Sequence, residues 1–402
     1  MNGTLTILHA VLISLLALVA AWAMYRRVLK MAVRYNIVDH PDARKLQKAP
    51  IPVLGGVVVF LGLSVGIVFT IFLFDYSDLL PVFLVMAIML VVGICDDIGN
   101  LSPYVRFLIE IVMCLFLIHV CGYSINDFYG LWGIYGIPTW MSLPLSIITG
   151  VGIINAINLI DGIDGYSSGY CMVASLLFGI MFWHAGYYSM FAMSMITVGA
   201  LLPFFVHNVF GKTSKMFIGD GGSLMLGMVM TVFVMATLTA NMECSKLVGE
   251  NVGLVAFTLA VLSVPVFDTL RVMTTRMLSG KSPFSPDKTH LHHLFLEFGF
   301  SHVGTAIMLI FINLIICLLW FITYELNASI NVQLYVVLVS GISVTFAFHW
   351  VMKKQIANNT KLYHMFLAIG EHTHIERKSI WIWIRNAVDG IRITKHQVKH
   401  IQ

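Results

Sequence analysis

The sequence predicts an all-α protein, a polytopic bundle of about eleven transmembrane helices, and three observations carry that reading. Of the 402 residues, 58% are hydrophobic and only 11% charged, with a mean hydropathy of +0.88. That is too little charge to cover a soluble domain of this size, so lipid is the solvent. Apolar stretches recur at about the 20 residues that a hydrocarbon core of roughly 30 Å requires. Basic residues fall in alternate connections between those stretches, as they do when one face of a membrane is cytoplasmic.

The spans follow in order. The first stretch, 5–24, has its basic residues after it rather than before it, which suits a retained helix and not a cleaved signal peptide. Next come 53–74, the short 79–95, 104–121 and 138–157. Residues 166–206 divide into 166–186 and 187–206, and 222–241, 252–270, 303–325 and 332–352 complete the eleven, with ten as the alternative count. With the N-terminus outside, the inner connections hold the basic residues from Arg26 to Lys48, then Arg106, then Lys212 and Lys215, then Arg271, Arg276, Lys281 and Lys288. The tail 353–402, on the same cytoplasmic side, carries those from Lys353 to Lys399, and of 24 basic residues only Lys246 is left outside. The tail interleaves its cations with Ile380, Trp381, Ile382, Trp383 and Ile384, a pattern suited to the inner leaflet surface. Six cysteines without CxxC spacing read as small packing residues.

The acids are not scattered. Asp96 and Asp97 end the third span in GICDDIGNLSP, Asp161 and Asp164 follow the fifth in NAINLIDGIDG, and Asp220 precedes the eighth in FIGDGGSLMLG. Asp287 stands in SPDKTHLHHLF beside Lys288, His290, His292 and His293. Singly, each cluster reads equally well as a helix cap or a turn. Together they share one membrane face, where desolvating a carboxylate is expensive. Between Val105 and Lys212 the only Lys or Arg is Arg106, so nothing near in sequence neutralises Asp161 and Asp164. A hard cation would do so. Mg²⁺, with Mn²⁺ as the alternative, takes oxygen ligands and binds through one or two carboxylates plus substrate phosphates. The glycines around these acids permit close backbone approach to a phosphate. Zinc is disfavoured, because His290 and His293 have no matching cysteines. A secondary transporter is the alternative class, but its coupling acids lie near the bilayer midplane in repeated halves, and no repeat is present here.

These segments, with ARKLQKAPIPVLGG at 43–56, occur in an order that resembles the polyprenyl-phosphate N-acetylhexosamine-1-phosphate transferases, the membrane family that includes MraY, WecA and TagO. The HLHH form and the span count are more similar to the WecA/TagO branch than to MraY. The resemblance covers roughly residues 5–352 and implies a transferase domain over 1–352, with active-site loops on the cytoplasmic face of a bacterial inner membrane. It implies transfer of a sugar 1-phosphate, GlcNAc 1-phosphate foremost, from a UDP-N-acetylhexosamine to polyprenyl phosphate, with release of UMP. Carried over by motif, Asp220 is a Mg²⁺ ligand joined by Asn158. Asp96 would take a proton from the lipid phosphate or orient it, and Asp97 would support the metal site. Asp161 and Asp164 would line the nucleotide pocket, and Phe217 would stack on uracil. His290, His292 and His293, with Lys288, would hold the pyrophosphate or sugar, and Lys45 and Lys48 would contact phosphate or uracil. Many relatives have a histidine shortly after the Arg-Lys pair, where this chain has Leu46-Gln47. No nucleic-acid partner is expected, and a homodimer is compatible with the sequence.

Overall fold

The computed structural model describes residues 6–40, 49–99, 101–282 and 289–390, the side chain of Arg377 excepted. The chain begins with α1 (Ile7–Arg34), a short ladder of β1 (Val38–Asp39) with β2 (Ile51–Pro52), then α2 (Gly55–Phe74), α3 (Leu79–Gly99) and α4 (Pro103–Phe116). A hairpin of β3 (Asp127–Leu131) and β4 (Ile134–Gly136) leads to α5 (Thr139–Leu159), α6 (Tyr166–Ala185), α7 (Tyr188–Phe210) and α8 (Gly219–Leu238). There follow α9 (Leu254–Val261), α10 (Ser263–Leu278), α11 (Leu291–Glu297), α12 (His302–Glu325), α13 (Ile330–Ile342), α14 (His349–Ala357), α15 (Lys361–His372) and α16 (Ser379–Asp389). Ten of the described helices are long and apolar enough to cross a membrane, and the count rises to eleven if the bent Glu243–Glu250/Leu254–Val261 pair is one span. The protein is a polytopic helical membrane bundle.

Several spans run past their expected ends, for one physical reason. In hydrocarbon every backbone N–H and C=O must be satisfied within the helix, so winding continues until water or protein can take over. Thus α1 extends beyond residue 24 and carries Arg26, Arg27, Lys30 and Arg34 on its last turns rather than in a loop. Likewise α3 continues past residue 95 to include Asp96 and Asp97, and α8 starts at Gly219, so that Asp220 lies in its first turn. The expected span 252–270 falls on α9 and the first half of α10, interrupted at Leu262.

The bundle is built around α8, whose most apolar stretch is wholly buried in protein, whereas that of α1 is mostly exposed. Small residues make this possible, because without a hydrophobic drive in lipid helices associate through close backbone packing. A Cβ on Gly56 would stand 2.4 Å from Gly222 N, one on Gly93 2.3 Å from Gly221 N, and one on Gly227 2.6 Å from Ile154 Cα. Leu73, Leu108, Ile148 and Ile180 point outward, as a lipid-facing surface requires. All six cysteines are free, and Cys114, Cys171, Cys244 and Cys317 are buried as packing residues.

Candidate functional site

Hydrogen bonds gather the polar helix ends at one end of the bundle. Gly55 N and Gly56 N at the start of α2 donate to Phe217 O (2.9 Å) and Ile218 O (2.8 Å), and Phe217 N donates to Pro52 O (2.8 Å). This pins the residues before α8 against β2 and α2. Gly219 then takes φ +74°, a left-handed backbone that a side chain would strain and that brings the amides of α8's first turn toward α3. Asp97 meets them. Its Oδ1 accepts from Asp220 N (3.0 Å) and its Oδ2 from Gly221 N (3.2 Å), so the last turn of α3 caps α8. A carboxylate is poorly placed at its own helix C-terminus but well placed at another helix's N-terminus.

Around that cap lies a cavity of about 690 Å³, lined by Asp97, Asn158, Asp161, Asp164, Phe217, Asp220 and His293 among the residues singled out from sequence. Asn158 Nδ2 donates to Asp220 Oδ1 (2.7 Å) and to Ser223 Oγ (2.8 Å), so the amide orients the acid. Asp161 accepts from the Ser167 hydroxyl. Its recessed position, with Asp220, Asp97 and Asp164 nearby, pushes its carboxyl well above the ordinary range. Burial acts the same way on Asp164, but His302 and Lys215 outweigh it and hold that carboxyl below the ordinary range.

The structure adds partners that the sequence did not reveal. Asp164 is paired within the protein by Lys215, whose Nζ stands 2.6 Å from Asp164 Oδ2, with His302 Nδ1 at 3.1 Å from the same oxygen. Neither was singled out as a site residue. Lys215 appeared only in the charge inventory of the α7–α8 connection, and nothing local in sequence pairs it with Asp164. Lys215 Nζ also lies 5.8 Å from the centroid of the Phe217 ring.

Asp96 belongs to an adjoining network. Arg106 NH1 donates to Asp96 Oδ2 (3.2 Å) and its NH2 to Asn155 Oδ1 (3.3 Å), while Asn155 Nδ2 donates to the buried Glu110 Oε2 (2.6 Å). Arg106, Glu110 and Asn155 are further residues that sequence reasoning passed over, although Arg106 stood out as the one cation in a long acidic and apolar tract. The histidines divide. His293 lines the cavity, His292 is buried with its Nε2 2.8 Å from where a Gly162 Cβ would stand, and His290 Nδ1 is 3.0 Å from Asp268 Oδ2. Arg271 NH2 (2.7 Å) and Leu291 N (3.2 Å) hold Asp268 Oδ1. Burial beside His293 and His290 pulls the His292 imidazole down to about 3, so it is neutral at physiological pH. Lys45, Lys48 and Lys288 lie outside the described residues.

Among the described residues no group of three or more His, Cys, Asp or Glu is arranged to hold a metal ion. The donor set still suits an ion that uses few protein ligands, since Mg²⁺ needs one or two carboxylates beside substrate phosphates. Asp220 is the acid best suited, because Asn158 fixes one of its oxygens and no hydrogen bond among the described residues engages the other.

A second cavity, apolar and of about 620 Å³, is lined by α4, α5, α9 and α10 through residues such as Phe107, Ile148, Leu259 and Leu270. Asn155 also lines it, so the apolar groove meets the Asp96–Arg106 network.

A family model described as glycosyl transferase family 4 matches residues 79–238. The chain is 28% identical over 317 residues to a probable undecaprenyl-phosphate N-acetylglucosaminyl 1-phosphate transferase of Bacillus subtilis (strain 168), covering 77% of this chain and 82% of that one. It is 30% identical over 313 residues to a decaprenyl-phosphate N-acetylglucosaminephosphotransferase of Mycobacterium tuberculosis (strain ATCC 25618 / H37Rv), covering 72% and 76%. It is also 30% identical over 282 residues to an undecaprenyl-phosphate alpha-N-acetylglucosaminyl 1-phosphate transferase of Escherichia coli O157:H7, covering 68% and 72%. With its acids capped, paired and gathered at one end of a helical membrane bundle, the chain belongs to glycosyl transferase family 4, the polyprenyl-phosphate N-acetylglucosamine-1-phosphate transferases of the MraY/WecA/TagO family.

Proposed function

We propose that this protein transfers GlcNAc 1-phosphate from UDP-GlcNAc to undecaprenyl phosphate, releasing UMP, on the cytoplasmic face of a bacterial inner membrane. One observation carries the reading furthest. A polar cavity is lined by Asp97, Asn158, Asp161, Asp164, Lys215 and Asp220, an apolar groove is lined in part by Asn155, and a hydrogen-bonded chain from Asn155 through Arg106 to Asp96, the neighbour of Asp97, links the two. A hydrophilic nucleotide sugar and a lipid phosphate need such neighbouring but unlike compartments.

The reaction is attack by an oxygen of the lipid phosphate on the β-phosphorus of the UDP-sugar. A P–O bond forms there, and the bond from the β-phosphorus to the bridging oxygen breaks, so the bridging oxygen leaves with UMP. Arg106 would draw the lipid phosphate to the end of the groove, while Asp96 beside it would take a remaining proton. That demand is modest, since a phosphate monoester has a second pKa near ~6. Lys215, fixed by Asp164, would face the diphosphate, and Phe217 would stack on uracil. Asp220, oriented by Asn158, with Asp97 at the α8 N-terminus, would hold Mg²⁺ or Mn²⁺, which when bound reduces repulsion between the two anions. Direct attack in a ternary complex needs no covalent enzyme intermediate and is the mechanism we favour.

The test is UMP release by the purified protein from a panel of UDP-N-acetylhexosamines, with and without undecaprenyl phosphate. Lipid-dependent release, fastest with UDP-GlcNAc, is expected. Release that ignores the lipid, or none from any UDP-sugar, would overturn the reading. For the metal role, Asp220→Asn should abolish turnover, and wild-type activity of that variant at limiting Mg²⁺ would sink it.

A further inference from the structure

The C-terminal segment lies far outside the residues matched by the family model, yet it reaches the polar end of the bundle. α16 packs on α7: Trp381 is buried against Phe210, with ring centroids 4.3 Å apart, and Val388 is buried as well. Asp389, the last residue of α16, then meets the connection between α7 and α8. Its carboxylate accepts from Lys212 N (3.0 Å), Thr213 N (3.2 Å), Ser214 N (3.1 Å) and the Ser214 hydroxyl (2.8 Å). Successive amides converging on one anion form a fixed cradle.

Ser214 ties that cradle to the bundle. Its carbonyl accepts from Tyr25 OH of α1 (2.8 Å), and its hydroxyl oxygen lies 3.0 Å from His207 Nδ1 of α7. The next residue is Lys215, which reaches Asp164, and two further on is Phe217. The connection is therefore held at its far end by β2 and α2 and at its near end by a carboxylate about 175 residues away in sequence. Lys212 and Thr213 are exposed, so water could solvate their amides equally well. The bundle does not need Asp389 to bury them. The contact instead ties α16 to the backbone of Ser214, the residue before Lys215.

We propose that Asp389 is a positioning residue for the nucleotide-sugar pocket: α16 clamps the α7–α8 connection and sets Lys215 against the donor substrate. The role rests on the function proposed above. Asp389 touches no substrate itself and acts through Lys215.

The experiment varies UDP-GlcNAc and undecaprenyl phosphate independently in wild type, Asp389→Ala, Asp389→Glu, Lys215→Ala and the Lys215→Ala/Asp389→Ala pair. Hydrogen exchange over residues 211–218 and the melting temperature in detergent are measured alongside. Asp389→Ala should raise the UDP-GlcNAc KM about tenfold, the scale of one charged hydrogen-bond cluster, while kcat and the lipid KM hold. Asp389→Glu should recover part of the loss. In the Lys215→Ala background, Asp389→Ala should add little, because both act through one contact. Exchange at Lys212–Ser214 should quicken in Asp389→Ala. A lowered melting temperature with an unchanged UDP-GlcNAc KM would reduce Asp389 to a structural residue and overturn the proposal, as would full additivity in the double variant. If the wild type turns over no UDP-sugar, the functional reading fails. The exchange arm still decides the clamp, and unchanged exchange in Asp389→Ala overturns it.

Discussion

Gly93→Ala is the sharpest test of how the site is assembled, because it leaves every candidate site side chain unchanged. Gly93 lies one turn before Asp97 on α3, on the face that meets the start of α8. A Cβ there would stand 2.3 Å from Gly221 N and 2.4 Å from both the carbonyl carbon and oxygen of Asp220. All three are backbone atoms, so no rotamer change relieves the clash. Ordinary contact begins at 3.4 Å, so α3 and α8 must part by about 1 Å. The bonds from Asp220 N and Gly221 N to Asp97, now 3.0 and 3.2 Å, would then stretch past hydrogen-bond range. Overpacking of this kind costs about 1–3 kcal/mol of stability, which a bundle of this size can survive. A displacement of about 1 Å in a catalytic constellation costs on the order of 10²-fold in rate. The assay is UMP release from UDP-GlcNAc and undecaprenyl phosphate, with melting temperature and gel-filtration profile as folding checks. Gly249→Ala, with nothing within 4 Å of its added carbon, serves as the control. A folded Gly93→Ala protein turning over at the wild-type rate would refute the claim that the α3–α8 contact builds the site.

Four further outcomes are expected. Phe217→Ala should raise the UDP-GlcNAc KM with kcat little changed, since stacking on a base is worth roughly 1–3 kcal/mol and the base does not react. Asp96→Asn should instead depress kcat at saturating UDP-GlcNAc, and the reverse pairing of effects would show the division of the site to be wrong. The His292 imidazole is held near 3 by burial, whereas an unfolded histidine titrates near ~6.5. Between those values the unfolded chain binds a proton that the folded one refuses, so stability falls as pH drops through that window, by at most about 1.4 kcal/mol per pH unit. Melting temperature against pH should thus be less steep below neutrality in His292→Gln than in wild type, and parallel curves would contradict a buried neutral imidazole. In a cysteine-free background, a cysteine at position 246 should label only from outside and one at position 281 only from inside, and the opposite pattern would invert the orientation.

The sequence by itself determined the class of this protein and the approximate place of its spans. Both depend on quantities that are local along the chain. A span is about 20 consecutive apolar residues because the hydrocarbon core has a set thickness, and it can be read wherever it occurs. The acidic motifs were legible for the same reason, since a charge inside or beside an apolar run is conspicuous without any knowledge of its neighbours. The span ends were less so: Asp97 was placed at the end of the third span and Asp220 just before the eighth, yet both lie within their helices. Only the tertiary structure decided what each acid faces. Lys215 answers Asp164 across 51 residues, Arg106 and Asn155 meet across 49, and Asp97 caps a helix that begins more than 120 residues later. An ion pair is set by distance in space, and in a helical bundle that distance depends on which helices pack and how closely. Here that closeness turns on contacts such as Gly93 against Gly221, which no local pattern of hydropathy or charge encodes.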